Sequence, residues 1–152
     1  MRIGVVGHES AKFTVKTEDA AKNIIRSILT KDDILISGGC HLGGIDIWSE
    51  EIATEVGIPK HNQIIHLPKR RIWNGGYRDR NLKIANDSDI VYCIVIEKYP
   101  KHYTGMKFDY CYHCKSADHI KSGGCWTAIR AKKQTWFIIK PDGTHIERSF
   151  DL

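Results

Sequence analysis

The hydrophobic positions of this chain form short apolar runs that alternate with stretches of helical spacing. The runs at residues 3–7, 34–36, 63–67, 90–96 and 135–139 are too short for helices and predict five strands. Between them, apolar residues recur every three or four positions in residues 18–29, 45–56 and 81–86, and again after a glycine turn at 122–127 as far as residue 131. This spacing predicts four amphipathic helices. Thr17 is the predicted N-cap of the first helix, because Glu18 and Asp19 follow it where negative charge suits the helix dipole.

Strands that alternate with helices, and that are apolar along nearly their whole length, are typical of a parallel sheet covered on both faces. Right-handed crossovers then predict an α/β, Rossmann-like three-layer sandwich with a mostly parallel five-stranded sheet in the order 3-2-1-4-5. Residues 144–150 alternate weakly, as an added edge strand or a tail does. The length of 152 residues predicts a single domain, residues 1–152, with residues 97–121 as an irregular Cys/His-rich insertion after the fourth strand.

Glycine-rich turns follow several of the predicted strands. In a doubly wound sheet, ligands bind beyond the carboxyl ends of the strands where the winding direction changes, here between the first and fourth strands. That rule brings together four segments rich in glycine or short polar side chains, namely residues 7–10, 37–46, 75–81 and 122–127. Open backbone N–H groups at such turns, next to a helix start, favour an anion. The predicted ligand-binding glycines are Gly7, Gly38, Gly39, Gly43, Gly44, Gly123 and Gly124, and the phosphates are expected on Gly38, Gly39, Gly123 and Gly124.

Polar side chains in the same segments extend this prediction to a nucleotide. Hydroxyl groups are available from Ser37, Ser122 and Thr127. Arg78 and Arg80 are suited to clamp a phosphate, and the alternative is an exposed helix start. Asn81 is suited to bind a base or ribose, and the alternative is a capping role. The acids that are candidates for catalysis are Glu9, Asp46 and Asp79, each of which also has a structural alternative.

Three of the five cysteines fall between Cys111 and Cys125, within the insertion and the turn that follows it. Clustered Cys and His residues in a chain without secretory features favour metal binding over disulfides. Cys111, Cys114, His119 and Cys125 have the spacing C-x2-C-x4-H-x5-C, one residue longer than a zinc knuckle. Four protein ligands predict a structural zinc site without an open position for water. His113 is an alternative fourth ligand.

Composition narrows the class of protein only slightly. The chain opens directly on an apolar strand rather than a signal peptide, and it has no apolar run near the roughly 18 residues of a spanning helix. We therefore expect a cytoplasmic protein without a membrane partner. The net charge of +5 is compatible with an anionic ligand but does not by itself indicate nucleic-acid binding. Isolated domains of this class often pair, so a homodimer is one expectation.

Three segments occur in an order and spacing that resemble the SLOG superfamily. They are Gly-Gly-Cys-His-Leu-Gly-Gly-Ile-Asp at 38–46, Gly-Tyr-Arg-Asp-Arg-Asn-Leu-Lys-Ile-Ala at 76–85 and Ser-Gly-Gly-Cys-Trp-Thr at 122–127. The similarity covers residues 1–140 apart from the insertion. This superfamily includes the Rossmann-like domains of the DNA-processing protein DprA, the "lonely guy" (lysine-decarboxylase-like) phosphoribohydrolases and small nucleotide-sensing domains. The resemblance implies a nucleotide or nucleotide-derived ligand at the glycine loops.

Two alternatives follow from the same resemblance. The phosphoribohydrolases carry Pro-Gly-Gly-x-Gly-Thr-x-x-Glu, whereas this chain has Ser122 in place of the proline and lacks the glutamate after Thr127. Cleavage or transfer at an N-glycosidic bond of a nucleoside monophosphate is therefore the alternative to simple nucleotide binding. The second alternative is DNA binding as in DprA, through Lys69, Arg70, Arg71 and Lys101.

Overall fold

The computed structural model describes residues 1–149 and contains one central sheet. Its strands are β1 (Arg2–Gly7), β2 (Ile34–Ser37), β3 (Gln63–Ile65), β4 (Ile90–Ile96), β5 (Gln134–Ile139) and β6 (His145–Arg148). They lie in the order β3-β2-β1-β4-β5-β6, with the first five parallel and β6 antiparallel to β5. The predicted fold class and strand order are confirmed. The weakly alternating C-terminal stretch forms a sixth, edge strand, and Phe150 at its predicted end lies outside the described residues.

Within residues 1–149 the four α-helices are α1 (Val15–Ile28), α2 (Ile45–Glu55), α3 (Arg78–Asp87) and α4 (Gly123–Ile129), and three short helical turns lie at Ser10–Lys12, Lys60–Asn62 and Trp73–Tyr77. The predicted N-cap Thr17 is wrong, because α1 begins earlier and Thr14 caps it. The Thr17 N–H donates to the Thr14 hydroxyl at 3.1 Å and the Thr14 N–H donates to the Thr17 hydroxyl at 2.9 Å, which is a reciprocal capping box. Val15 in this first turn is 81% exposed, so hydrophobic periodicity gave no sign of the start. Similarly, α3 begins at Arg78, ahead of the predicted residue 81.

Each face of the sheet is covered by two helices, which form two separate hydrophobic cores. On one face, α1 and α2 pack against alternate strand residues such as Val5 and Leu35. On the other face, α3 and α4 pack against the intervening residues such as Val6 and Ile36. This alternation follows from the period-2 geometry of strands, and burial on both faces explains why the strands are continuously apolar.

The start of α2 lies directly against the end of β1. The Ile45 N–H donates to the carbonyl of His8 at 3.1 Å. Gly44 has a φ of +81°, and a Cβ there would lie 2.4 Å from the His8 carbonyl oxygen. Only glycine allows this conformation and this close approach. The glycine turn after β2 is thereby held at the carboxyl end of β1.

Residues 97–121 form the irregular insertion, which is anchored to the sheet at both of its ends. The Ile120 N–H donates to the carbonyl of Ile96, the last residue of β4, at 3.1 Å. Within the insertion, Cys111 and Ser116 exchange two backbone hydrogen bonds, and the Phe108 N–H donates to the Tyr99 hydroxyl at 2.9 Å. None of the helices within residues 1–149 has the length and apolar character needed to cross a membrane.

Candidate functional site

Three cysteines and one histidine converge where the insertion meets α4. The ligand atoms of Cys111, Cys114, His119 and Cys125 all lie within 4.8 Å of one another, so the group is positioned to hold a metal ion. In a tetrahedral site with zinc–sulfur bonds of about 2.3 Å, two sulfurs are about 3.8 Å apart, which agrees with this spacing. Cys111, His119 and Cys125 are buried, whereas Cys114 is half-buried. All four protein ligands predicted from the spacing are thus brought together.

The orientation of His119 favours metal coordination through Nε2. This atom lies 3.2 Å from Cys125 Sγ and 3.4 Å from Cys114 Sγ, whereas Nδ1 lies 2.7 Å from a carboxylate oxygen of Asp118. A carboxylate that accepts from Nδ1–H fixes the tautomer in which Nε2 is free to bind a metal. Arg148 of β6 lies 3.4 Å from the second oxygen of Asp118 and holds that carboxylate in turn.

Electrostatics within the group also favour a bound cation. Hydrogen bonds from Cys114 and then Cys125 lower the pKa of Cys111, and the same close contact with Cys111 raises the pKa of Cys114 and of Cys125. Although burial opposes protonation of His119, hydrogen bonds with Cys111, Cys114 and Asp118 raise its pKa to about 10. Without a cation, ionisation of one thiol opposes ionisation of its neighbours. A divalent metal removes this conflict, because it binds thiolates and displaces the proton from the imidazole.

The structure separates His119 from the alternative fourth ligand His113 and from a further histidine of the insertion, His102. His113 packs on the ring of Tyr112 with centroids 4.5 Å apart, and His102 lies 3.2 Å through Nε2 from the carbonyl of Ala11. Neither belongs to the group of ligand atoms formed by the described residues. His119 is therefore the fourth member of the group.

A cleft, here called the rim cleft, lies at the carboxyl end of β1, between the glycine turn after β2 and the starts of α3 and α4. It has a volume of about 300 Å³. Its walls are Val6, Gly7, Glu9, Cys40, Asp46, Trp73, Tyr77, Arg80, Asn81, Ile84, Gly123, Gly124 and Thr127. Eight of the predicted site residues thus border one cavity: Gly7, Glu9, Asp46, Arg80, Asn81, Gly123, Gly124 and Thr127.

One side of the rim cleft is a connected polar network. Arg80 donates through one terminal nitrogen to the carbonyl of Gly38 at 2.6 Å and through Nε to the side-chain oxygen of Asn81 at 2.8 Å. The Cys40 N–H donates to the Asp46 carboxylate at 3.1 Å. Burial raises the pKa of Asp46 to about 6, and the charge of Arg80 opposes that shift. The cleft therefore presents a fixed cation beside a carboxyl group that titrates near neutral pH.

Other predicted residues lie outside the rim cleft. Gly39 lines an adjoining hollow with the basic residues Lys69, Arg70 and Arg71. Asp79 lines a separate hollow with Lys83, and Arg78 is exposed. The Gly43 and Gly44 backbones pack near Ser10 and against His8, and Gly38 faces Arg80 and Asp46.

Two of the predicted hydroxyl groups are hydrogen-bonded to backbone groups of nearby residues. Ser37 is buried, and its hydroxyl accepts from the Gly39 N–H and donates to the carbonyl of Asp46, both at 3.4 Å. Ser122 is the N-cap of α4, where its hydroxyl accepts from the Gly124 N–H at 3.1 Å. These hydroxyls shape the turns that border the rim cleft.

A second cavity, here called the insertion pocket, has a volume of about 420 Å³. Its walls are Gly7, His8, Glu9, Lys12, Tyr99, Tyr103, Met106, Phe108, Lys121, Ser122 and Gly123. Sequence reasoning did not identify its aromatic side chains, nor Asp118 and Arg148 behind the metal ligands. The high frequency of aromatic residues in residues 97–121 was the available signal for the aromatic side chains of the pocket. The signal for Asp118 was its position directly before His119.

His8 links the insertion pocket to the sheet. It is buried, its Nδ1 accepts from the Ile96 N–H at 3.1 Å, and its Nε2 lies 3.0 Å from the carbonyl of Lys121. Because Nδ1 is an acceptor, the proton resides on Nε2, which donates to that carbonyl. Burial lowers the pKa of His8 to about 3. His8 is thus a neutral link between β1, the end of β4 and the end of the insertion.

Comparisons of the chain with protein-family models, with curated proteins and with solved structures find no match in any of the three. The resemblance to the SLOG superfamily therefore stays a prediction.

Proposed function

We propose that the chain binds a nucleotide or a nucleotide derivative in the rim cleft, as a protein of SLOG type whose insertion is held by a structural zinc ion. The observation that carries this proposal is the convergence of Arg80, Asn81 and the Gly123–Gly124 backbone around one cavity at the carboxyl end of β1, one of the two strands at which the winding direction changes. Open α/β sheets bind their ligands at this position. The combination of a cation, amide and hydroxyl groups and open backbone is suited to phosphate and sugar.

The backbone at Gly123 is the best candidate for a phosphate contact. Gly123 is exposed, and a Cβ added there would have no neighbour within 4 Å among the described residues. Gly124 is closer to the sheet, since its added Cβ would lie 3.0 Å from the Gly7 nitrogen. A phosphate can therefore approach Gly123 from the open side of the cleft without displacing protein atoms.

The proposal is tested by a thermal-shift screen of the zinc-loaded protein. The ligands are nucleoside mono-, di- and triphosphates, nucleotide sugars, dinucleotides and a short DNA duplex. A ligand at a hundredfold its Kd stabilises the folded state by about 2.7 kcal/mol, which is a measurable rise in the midpoint. A rise with one nucleotide class supports the proposal. A rise with DNA alone, falling steeply with salt, supports the DNA-binding alternative instead, and a screen without any rise contradicts nucleotide binding.

Gly123→Asp is expected to weaken nucleotide binding at least about tenfold, because it places a negative charge in the cleft beside the phosphate. Gly123→Asn is the matched control, because it has the same shape without the charge. We expect the Asn variant to bind within a few-fold of the wild type in isothermal titration calorimetry. The proposed phosphate position is wrong if the Asp and Asn variants bind equally well.

A second candidate function is hydrolysis or transfer at an N-glycosidic bond, and the observation that favours it is Asp46. Its carboxyl group borders the rim cleft, and its pKa of about 6 is suited to proton transfer near neutral pH. Glu9 is less available, because Lys12 binds its carboxylate at 2.8 Å. Asp79 lies in the separate hollow with Lys83.

Asp46→Asn is expected to abolish any release of base from a nucleoside monophosphate while leaving nucleotide affinity within a few-fold. The asparagine oxygen still accepts from the Cys40 N–H, and removal of a buried charge does not lower stability at pH 7, where the raised pKa makes ionised Asp46 unfavourable in the folded state. Base release is measured by chromatography between pH 5 and 8. Wild-type turnover should change with an apparent pKa near 6, and turnover that persists in the variant excludes Asp46 as the catalytic group.

The zinc ion is proposed as structural rather than catalytic. Cys111, Cys114, His119 and Cys125 already supply four ligand atoms, which completes a tetrahedral zinc shell without a position for water. When bound, the ion joins the insertion to α4, because the first three ligands belong to the insertion and Cys125 belongs to the helix.

A further inference from the structure

We propose that the insertion pocket binds the planar aromatic ring of the ligand, a nucleobase, while the sugar and phosphate occupy the rim cleft. This inference rests on the proposed function and assigns its base-binding part to residues 97–121, which lie outside the resemblance to the SLOG superfamily. It gives the metal-held segment a role in ligand selection.

The aromatic side chains of the insertion pocket are fixed in place by one another and by the backbone. The rings of Tyr99 and Tyr103 are stacked, with centroids 4.9 Å apart and planes inclined by 21°. The Tyr99 hydroxyl accepts from the Phe108 N–H, and the Tyr103 hydroxyl donates to the carbonyl of Met106 at 3.3 Å. Ordered ring faces and edges of this kind bind a base with little loss of side-chain entropy, and stacking accepts any base.

The two cavities meet at the end of β1. Gly7, Glu9 and Gly123 border both the rim cleft and the insertion pocket. A ligand whose phosphate contacts Gly123 therefore has both cavities within reach. A nucleotide needs one site for a charged group and an adjoining site for a flat ring, and the two cavities are adjoining sites of these two kinds.

Charges in the insertion pocket further restrict the ring that it can accept. Lys12 is paired with Glu9 at 2.8 Å, and the Lys121 ammonium lies 4.5 Å from the centroid of Phe108. Ammonium groups are hydrogen-bond donors only, so the polar edge of the ring must supply acceptors such as ring nitrogens or carbonyl oxygens. Nucleobases provide such edges.

The rim cleft is the weaker candidate for the ring. Its exposed aromatic residue, Trp73, already makes an edge contact with Trp126 at a centroid distance of 4.9 Å, and the guanidinium of Arg130 lies 3.6 Å from the centroid of Trp126. One wall of the cleft carries the polar network of Asp46 and Arg80, beside the apolar side chains of Val6 and Ile84. A base buried against this network would remove water from its charged groups without replacing the lost hydrogen bonds, which is unfavourable, whereas a sugar phosphate would bind to it.

The test measures the affinity of the zinc-loaded, full-length protein for the ribonucleoside mono- and diphosphates and for ribose 5-phosphate, which lacks the ring. The pocket variants are Tyr103→Ala and Phe108→Ala. Tyr103→Leu is a second variant that keeps apolar volume without an aromatic face, and Tyr103→Phe keeps the ring. Trp73→Ala tests the alternative position of the ring in the rim cleft, and Tyr110→Ala is the matched control, because Tyr110 is an exposed aromatic residue of the insertion that borders neither cavity. Zinc content and the thermal midpoint are measured for every variant.

We expect Tyr103→Ala, Tyr103→Leu and Phe108→Ala to weaken the best nucleotide about tenfold or more, as loss of a base-stacking surface does. Affinity for ribose 5-phosphate should change less than twofold, and Tyr103→Phe and Tyr110→Ala should bind as the wild type does. Nucleotide binding that is unchanged in the pocket variants, or lost selectively in Trp73→Ala, overturns this inference but leaves the proposed function intact. A wild-type protein that binds none of these probes overturns both.

Discussion

Replacement of Cys125 by serine is expected to remove the proposed structural zinc ion and to lower the free energy of unfolding by several kcal/mol. Cys125 is fully buried in α4, and the Trp136 indole N–H donates to its sulfur at 3.3 Å. The free energy of binding a structural zinc ion, about 10–16 kcal/mol in small zinc-finger peptides, contributes directly to folding. Serine provides a weak ligand and a shorter side chain, so both the metal link and the packing are lost.

Zinc per chain is measured by elemental analysis, and stability by denaturant unfolding. Cys40→Ser is the matched control, because Cys40 is half-buried and lies outside the metal group. It should retain one zinc and change stability by less than about 1 kcal/mol, as is usual for a substitution away from a structural feature. A Cys111→Ser, Cys114→Ser double variant that still carries stoichiometric zinc would show that the ligand assignment is wrong.

The buried His8 is expected to lower the free energy of unfolding as the pH falls, and this part of the acid destabilisation should be absent in His8→Asn. Because burial lowers the pKa of His8 from 6.5 to about 3, the folded protein holds the imidazole neutral where the unfolded chain protonates it. The unfolded state then binds more protons, so stability falls as pH decreases below the unfolded pKa. The slope contributed by this one group is about 1.4 kcal/mol per pH unit well below that value.

Other groups, including the thiolate ligands, also titrate in acid. The informative quantity is therefore the difference in the free energy of unfolding between the wild type and His8→Asn. At pH 7, His8→Asn should be less stable by about 1–3 kcal/mol, because the shorter side chain accepts from the Ile96 N–H but leaves the carbonyl of Lys121 unpaired. This difference should shrink steadily as pH falls from 7 to 4.5 in denaturant titrations. A difference that does not vary with pH would mean that His8 is not neutral in the folded protein.

Right-handed crossovers between the predicted elements implied the sheet order. The hydrophobic pattern predicted the elements themselves, because apolar runs and helical spacing report directly which faces are buried. It failed at the starts of α1 and α3, where Val15 and Arg78 are exposed. There, the boundary depends on capping and on the preceding loop rather than on burial. The alternation of residues 145–148 was too weak to distinguish an edge strand from a tail, because three of the four are exposed.

The sequence by itself determined the three cysteines of the metal group, because thiol ligands are chemically distinctive and their spacing is short. It left His113 and His119 as alternatives, since which imidazole points inward depends on the path of an irregular chain. Only the tertiary structure decided between them. His119 contacts Asp118, and Asp118 is held by Arg148, which lies far from it in the sequence.

The sequence predicted which loops meet around the rim cleft, because parallel strands bring their carboxyl ends to one edge of the sheet. It did not predict which side chains face the cavity. Arg78 and Arg80 are indistinguishable by composition, yet the helical turn of about 100° per residue separates their directions, so that only Arg80 reaches the carbonyl of Gly38 and the cleft. The aromatic insertion pocket likewise exists only in three dimensions, because it forms between a segment without periodicity and the distant end of β1.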